Sequence, residues 1–239
     1  MRKLLLALCT MLPVIFSYAQ DISTDGMGDE FKEITGFGRR QSGFEGIQTY
    51  STHTVNGSQF FMANWYPGSI TTADNQKVGK SYLFLYDKVR QEVFIKPEKI
   101  DYVILADKSQ VKSFTIIADK PHQFVQAAVY DSTLKGDFFE ALVDNNNYSL
   151  LKLIQTTYEK ANTNDIEKVK QGEFNDSFVD HVTYYLYHNN KLQKIEISNR
   201  SIYKVLKDNK SKVDEFYNNH DSEERNEGFL MGLVNSLNS

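Results

Sequence analysis

The chain has 239 residues, 41% hydrophobic and 13% aromatic, which is enough to bury a sizeable core and too apolar for wholesale disorder. Its 27 basic and 31 acidic residues leave a formal charge of −4, with no long basic stripe hidden in the average. That balance excludes the electrostatic footprint of a nucleic acid binder, so no nucleic acid partner is expected.

Residues 1–19 read as a secretory signal peptide. Arg2 and Lys3 form the charged start, Leu4 to Phe16 supply the apolar run, and Ser17-Tyr18-Ala19 ends in small residues. Cleavage is expected between Ala19 and Gln20. The apolar run falls short of the ~20 residues that a spanning helix needs, so no transmembrane span is expected after cleavage. Losing Arg2 and Lys3 takes the formal charge from −4 to −6, because no acidic residue leaves with them. The single cysteine, Cys9, lies in this peptide, and Leu8 occupies the position where lipidation requires a small residue. The mature chain is therefore expected to hold no cysteine and no disulfide. Export without disulfides suits a bacterial protein better than a eukaryotic one, and points to the periplasm, the outer membrane surface or the medium.

Residues 20–46 are polar and glycine-rich and read as a flexible N-terminal arm. Gly36-Phe37-Gly38 followed by Gly43 is no phosphate loop, since no Gly-Lys-Ser/Thr follows it. Residues 47–198 read as an antiparallel β domain. Strand-like runs fall at 47–52 and 58–63, then at 69–72 after a turn at Pro67-Gly68, with Asp74-Asn75 as a tight hairpin turn. Five more follow at 81–86, 91–96, 100–106, 111–117 and 123–130, rich in β-branched and aromatic residues and separated by turn signals. Connections this short favour an antiparallel meander, because a parallel crossover needs a dozen or more residues. Runs at 137–143 and 148–158 flank Asp144-Asn145-Asn146-Asn147, and runs at 181–187 and 191–197 flank Asn189-Asn190. Residues 159–177 turn polar and read as a long connection with a short helical turn around 166–169.

Several strands carry large apolar groups on both faces. Tyr82, Phe84 and Tyr86 oppose Leu83 and Leu85, while Ile100, Tyr102 and Ile104 oppose Val103 and Leu105. A sheet with one wet face alternates between apolar and polar, so these strands should be covered on both sides. Residues 199–239 change period and read as two to three helices packed on the β domain. Ile202/Val205/Leu206, Val213/Phe216/Tyr217 and Phe229/Leu230/Leu233/Val234/Leu237 follow helical spacing. Asp221 three residues before Glu224 resembles a capping box and places the last helix at 222–237. The expected fold class is α+β, mainly β: an antiparallel meander forming a barrel-like or sandwich sheet with the helices packed on it.

Several segments together carry a resemblance. They are Gly57-Ser58-Gln59-Phe60 leading to Trp65 and Gly68, Leu85-Tyr86-Asp87, and Phe138-Phe139-Glu140-Ala141-Leu142-Val143. Tyr184-Tyr185-Leu186-Tyr187 before Lys191-Leu192, Ser201-Ile202-Tyr203-Lys204-Val205-Leu206 and the lysine-rich 210–218 complete the set. This pattern resembles a group of uncharacterised exported proteins of Gram-negative bacteria, in which a tyrosine-rich strand precedes lysine- and leucine-rich helices. Members often carry Phe-Pro between the two helices, where this chain has Leu206-Lys207-Asp208. The resemblance implies no activity, substrate or catalytic residue.

Chemistry-bearing motifs are few. His53, His122, His181, His188 and His220 show no metal-ligand spacing, so neither a metal nor a cofactor is expected. Asp180-His181 are neighbours, but a strand sends adjacent side chains to opposite faces. No Gly-x-Ser-x-Gly elbow is present, and no catalytic residue is assigned. Asp101, Glu140 and Glu196 sit on strand-like runs and would have to converge in space to act as paired carboxylates. Asp144 followed by Asn146 lacks the glycine of a calcium loop. Trp65 and Tyr66, beside Pro67-Gly68, are the binding candidates, as aromatics that stack on sugar rings or anchor a protein partner, against the alternative that Trp65 plugs one end of the core. Lys204, Lys207, Lys210 and Lys212 suggest contact with anionic surfaces, against the alternative of a solvated helix face. The expected function is an exported, non-enzymatic binding or scaffolding protein of the bacterial cell envelope, acting through protein and possible glycan contacts. The alternatives are an envelope or polymer hydrolase using strand carboxylates, and a structural subunit of an envelope assembly.

Overall fold

The computed structural model describes residues 38–41, 55–79, 81–99, 102–161, 167 and 175–239. The expected signal peptide, most of the expected arm, the run at 47–52, His53, Ile100, Asp101 and most of the connection at 162–174 lie outside the described residues. The architecture is mainly β: one large mixed sheet, followed by three helices at the C-terminal end.

The strands are β1 (Gly38–Gln41), β2 (Val55–Asn56), β3 (Tyr66–Thr72), β4 (Lys77–Val78), β5 (Tyr82–Asp87), β6 (Glu92–Pro97), β7 (Val103–Ala106), β8 (Val111–Ile117), β9 (Pro121–Gln126), β10 (Phe138–Val143), β11 (Ser149–Glu159), β12 (Asp176–His188) and β13 (Lys191–Ile195). Their order across the sheet is β1-β7-β6-β5-β3-β8-β9-β10-β11-β12-β13. β4 pairs β3, and β2 pairs β12 in the one parallel contact among the described residues. The helices are α1 (Asn199–Val205), α2 (Lys210–Asn219) and α3 (Glu227–Asn238).

β3 is the pivot of this order. Its Tyr66 and Pro67 pair with β5, whereas Gly68 to Thr72 pair with β8. The turn expected at Pro67-Gly68 is instead a change of partner within a strand. Proline lacks an amide donor and tolerates only an incomplete ladder. Gly68 is required by close approach, since a Cβ there would lie 2.1 Å from the Thr115 carbonyl oxygen and 2.7 Å from Phe84.

The sheet curls strongly. β5 and β10 stand four places apart in the strand order, which on a flat sheet is about 19 Å. Yet the rings of Tyr86 on β5 and Phe138 on β10 are 6.2 Å apart, with Phe114 and Phe124 between them. The inner face thus closes on itself around an aromatic core built from β3–β10. The sheet is not closed into a barrel, which corrects that half of the expectation. Over β10–β13 the inner face is occupied by α1–α3, which fill the space that closing strands would need.

The two-sided reading of the strands holds. Tyr82, Phe84, Tyr86, Tyr102 and Ile104 join the inner core, while Leu85, Val103 and Leu105 join an outer cluster under Phe60 and Trp65. A second outer cluster joins Phe139, Leu151, Leu153 and Tyr185 to Tyr130 and Leu134 of the β9–β10 connection.

Three local expectations change. Residues 58–63 make one isolated bridge, Phe60 to Asp87, because Phe60 and Phe61 straddle the edge of β5 and send one ring to each face. The run at 123–130 ends as β9 at Gln126, and Ala127–Val129 turn into a 3-10 helix that carries Tyr130 over the outer face. The last helix starts later, because the Asn226 side chain accepts the Phe229 amide and so caps α3. Asn189 and Asn190 both adopt positive φ, 50° and 57°, as a two-residue primed hairpin turn demands.

Candidate functional site

Two features gather the ionisable side chains: a buried charged row along the seam between the two cores, and an open cleft at the far end of the helices. The row follows from strand register. Glu140 on β10 faces Lys152 on β11, which faces Tyr184 on β12, so their side chains line up across the inner face. His122 on β9 stands beside Glu140, with Nδ1 2.7 Å from Glu140 Oε1, and its Nε2 lies 3.2 Å from Asp119 Oδ1. With a carboxylate oxygen at each ring nitrogen, the imidazole donates to both in its cationic form and to one when neutral. Lys152 Nζ lies 2.9 Å from Glu227 Oε2 at the first turn of α3 and 3.4 Å from Glu140 Oε2. The longer approach is an ion pair without an aligned hydrogen bond, which leaves Glu140 Oε2 with no hydrogen-bond partner. The Tyr184 hydroxyl donates to Glu227 Oε2 at 3.0 Å.

This environment perturbs its members in definite directions. Burial pulls the Lys152 ammonium down, but Glu140 and Glu227 outweigh it and hold its pKa above the ordinary lysine value. Burial, reinforced by the hydrogen bond to Glu227, pushes the Tyr184 phenol up to about 12. The hydrogen bond from His122 holds the exposed Asp119 carboxyl below the usual range. Glu140 is 5% exposed and His122 9%, so the row binds the cores together and offers no open surface at its centre.

A second link joins the β5–β6 turn to the hairpin of β11 and β12. Asp87 is buried and accepts the Val89 and Arg90 amides and the Gln59 side chain. Gln91 accepts the Phe138 amide and donates to the Ile154 carbonyl, tying the turn to β10 and β11. Lys88 Nζ reaches Asp180 at 2.7 Å, and Thr156 Oγ1 donates to the same carboxylate at 2.6 Å. Burial raises the Asp180 pKa, but the bonds from Lys88 and Thr156 prevail and hold it below the ordinary value.

The cleft lies between the β12–β13 turn and the junction of α1 with α2, with a volume of about 570 Å³. That size falls within the range of small-molecule sites. Lys191 enters from β13, Lys204 from α1 and Lys207 from the 3-10 turn Lys207–Asn209; Asp208 is the one acidic residue of the lining. None of the three lysines pairs with a carboxylate among the described residues. The wall is rigid. His188 stacks on Tyr148 with centroids 3.8 Å apart and its Nδ1 bonds the Asn147 carbonyl, while Asn209 donates to the Tyr148 hydroxyl.

The residues singled out from sequence are dispersed. Trp65 packs in the outer cluster with Leu85, Phe94 and Val103, under the Lys96 ammonium at 5.1 Å. Tyr66 packs against the inner aromatic core, so the two rings belong to opposite faces of the sheet. His181 is exposed on β12 beside Thr157, and Glu196 is exposed after β13, so neither joins Glu140. Phe229, Leu230, Leu233 and Leu237 are all buried against the sheet. Lys204 and Lys207 line the cleft, and Lys210 lies on the next concavity along α2. Lys191 and His188 were not legible as partners of those lysines, because only the β12–β13 turn brings them there.

Among the described residues, no group of three or more His, Cys, Asp or Glu side chains is placed to hold a metal ion. No helix among them is long and apolar enough to cross a membrane. The chain matches no family model, no curated protein and no solved structure.

Proposed function

We propose that the protein is an exported, non-enzymatic binding or scaffolding protein of the bacterial cell envelope, working through contacts with a protein or a glycan. One observation carries the reading. The side chains best suited to acid–base chemistry, His122, Glu140 and Asp180, are committed to bonds that hold the two halves of the sheet together, while the open cleft is lined by three lysines that pair with no carboxylate among the described residues. Held side chains such as Tyr148 and His188 in an accessible concavity suit recognition, since they need little ordering on binding. The leader-like residues 1–19 support export, and the cysteine-free remainder suits an envelope location.

Fractionation of cells expressing the tagged chain, followed by crosslinking in the intact envelope, tests the reading. The expected outcome is recovery outside the cytoplasm, shortened at residue 19, with one reproducible crosslinked partner or glycan. Cytoplasmic recovery of the uncut chain would remove the reading. Release of sugars from envelope polysaccharide, abolished by Glu140→Gln, would favour the hydrolase instead.

A further inference from the structure

We propose that the cleft between the β12–β13 turn and the α1–α2 junction is a binding site for an acidic saccharide, a sugar-sized body carrying a carboxylate or phosphate. This rests on the reading of the protein as a binding protein and names the ligand class. Lys191, Lys204 and Lys207 converge on the cleft from three separate elements. Three lysines that pair with no carboxylate among the described residues outnumber the single lining acid, Asp208, and raise the local concentration of anions. A lysine is a point charge with three rotatable donors, and serves carboxylate and phosphate alike.

Charge alone would suit any anion, but the rest of the lining narrows the class. Asn189, Gln193 and Asn209 add amide groups, and Asp208 adds an acceptor-only carboxylate. Asp208 repels a densely charged ligand and accepts from hydroxyls, so the lining fits a ligand with hydroxyl donors and an acidic group. The half-buried Val205 supplies an apolar patch for the carbon face of a ring, with Leu186 and Leu206 buried beneath the lining. The volume of about 570 Å³ accommodates one or two sugar units and closes off a long folded epitope.

The test is a titration of the isotope-labelled protein, read by backbone amide shifts, with glucuronate, glucose 6-phosphate, glucose, inorganic phosphate and a tetraglutamate peptide. Both acidic sugars should shift residues 186–193 and 204–209, with glucose and inorganic phosphate each at least about tenfold weaker. The tighter of the two acids tells a uronic acid source from a sugar phosphate source. Lys191→Glu with Lys207→Glu should weaken the acidic sugars at least about tenfold, and the glutamine pair should act in the same direction. Lys120→Glu with Lys135→Glu makes the same change in net charge elsewhere and should leave affinity within about twofold.

Equal loss in both charge-reversed pairs would overturn the site, as would inorganic phosphate binding as tightly as the sugars. Tetraglutamate binding the same residues more tightly would replace the saccharide with an acidic protein segment. Acidic sugars that leave the cleft unshifted would end this inference while the envelope crosslink still stands. Failure of both experiments would end the binding reading itself.

Discussion

Around Tyr86 the inner face of the sheet meets itself, ring against ring, whereas around Leu233 it meets three short helices. The first core is rich in aromatics, with Phe114 and Phe124 stacked 4.7 Å apart and Phe138 edge-on to Phe114. The second is mainly aliphatic, with Leu150, Leu186 and Ile195 under Ile202, Val213, Leu230, Leu233 and Leu237. Strands far apart in sequence hold the first core in place. Helices of 7, 10 and 12 residues have no such support alone and depend wholly on burial. The lesson is that the sheet is self-sufficient where it curls and depends on its helical cover where it does not.

The contrast can be broken most forcefully at the pivot. Gly68→Ala should cost more than about 3 kcal/mol, because the new methyl meets a carbonyl and a ring that belong to two other strands. Chemical denaturation measures it, and a change below 1 kcal/mol would mean that β3 can shift aside. Next come the cores themselves. Phe114→Ala should cost about 3–5 kcal/mol and Leu233→Ala about 2–5 kcal/mol. The sharper difference lies in hydrogen exchange. Loss at Leu233 should speed exchange in α1–α3 while β5–β7 stay protected, whereas loss at Phe114 should expose both halves together.

The seam joining the halves comes third. Lys152→Met should cost about 3 kcal/mol, because it removes the ammonium shared by Glu227 and the buried Glu140 and leaves Glu140 only its contact with His122. Adding Glu140→Gln should recover part of that loss, a coupling that a double-mutant cycle reads directly.

The pH limits give the smallest effects and separate the two links. The Asp180 pKa is depressed, so its pair contributes stability above the ordinary carboxylate range and loses it as pH falls through the lower folded value. Asp180→Asn should therefore flatten the acid limb, by about 1 kcal/mol or less for so exposed a carboxylate. The Lys152 and Tyr184 values are raised, so their stabilisation is complete below the ordinary values and is lost as pH rises through the folded ones, about 12 for Tyr184. Tyr184→Phe should flatten the alkaline limb above pH 10 and leave the acid limb unchanged.

Much of this fold was legible because it is written in short-range alternation. β8 falls at 111–117 as read, Asn189-Asn190 forms its turn, and the opposed faces of β5 separate into two clusters. What escaped was non-local. Nothing near Pro67-Gly68 indicates that β5 and β8 flank the same strand, since that depends on residues far along the chain. The cap of α3 was misplaced because Asp221 and Glu224 carry the stronger local signature, whereas Asn226 acts alone. The site followed the same rule. Lys204 and Lys207 were visible as neighbours on a helical face, but their convergence with Lys191 across the β12–β13 turn depends on the tertiary fold. The contact of His122 with Glu140 needed the β9–β10 register, which the 3-10 turn at Ala127–Val129 obscures.

The change of partner along β3 also suits one order of assembly. A chain growing from its N-terminal end can zip β5 to β6 and β7 early, from local contacts. The far half of β3 then waits, one edge bare, until β8 has been made and swings back beside it. Completing the ladder at Thr115 is thus the moment when two separate ribbons become one molecule, and a delay there leaves each ribbon with an adhesive rim.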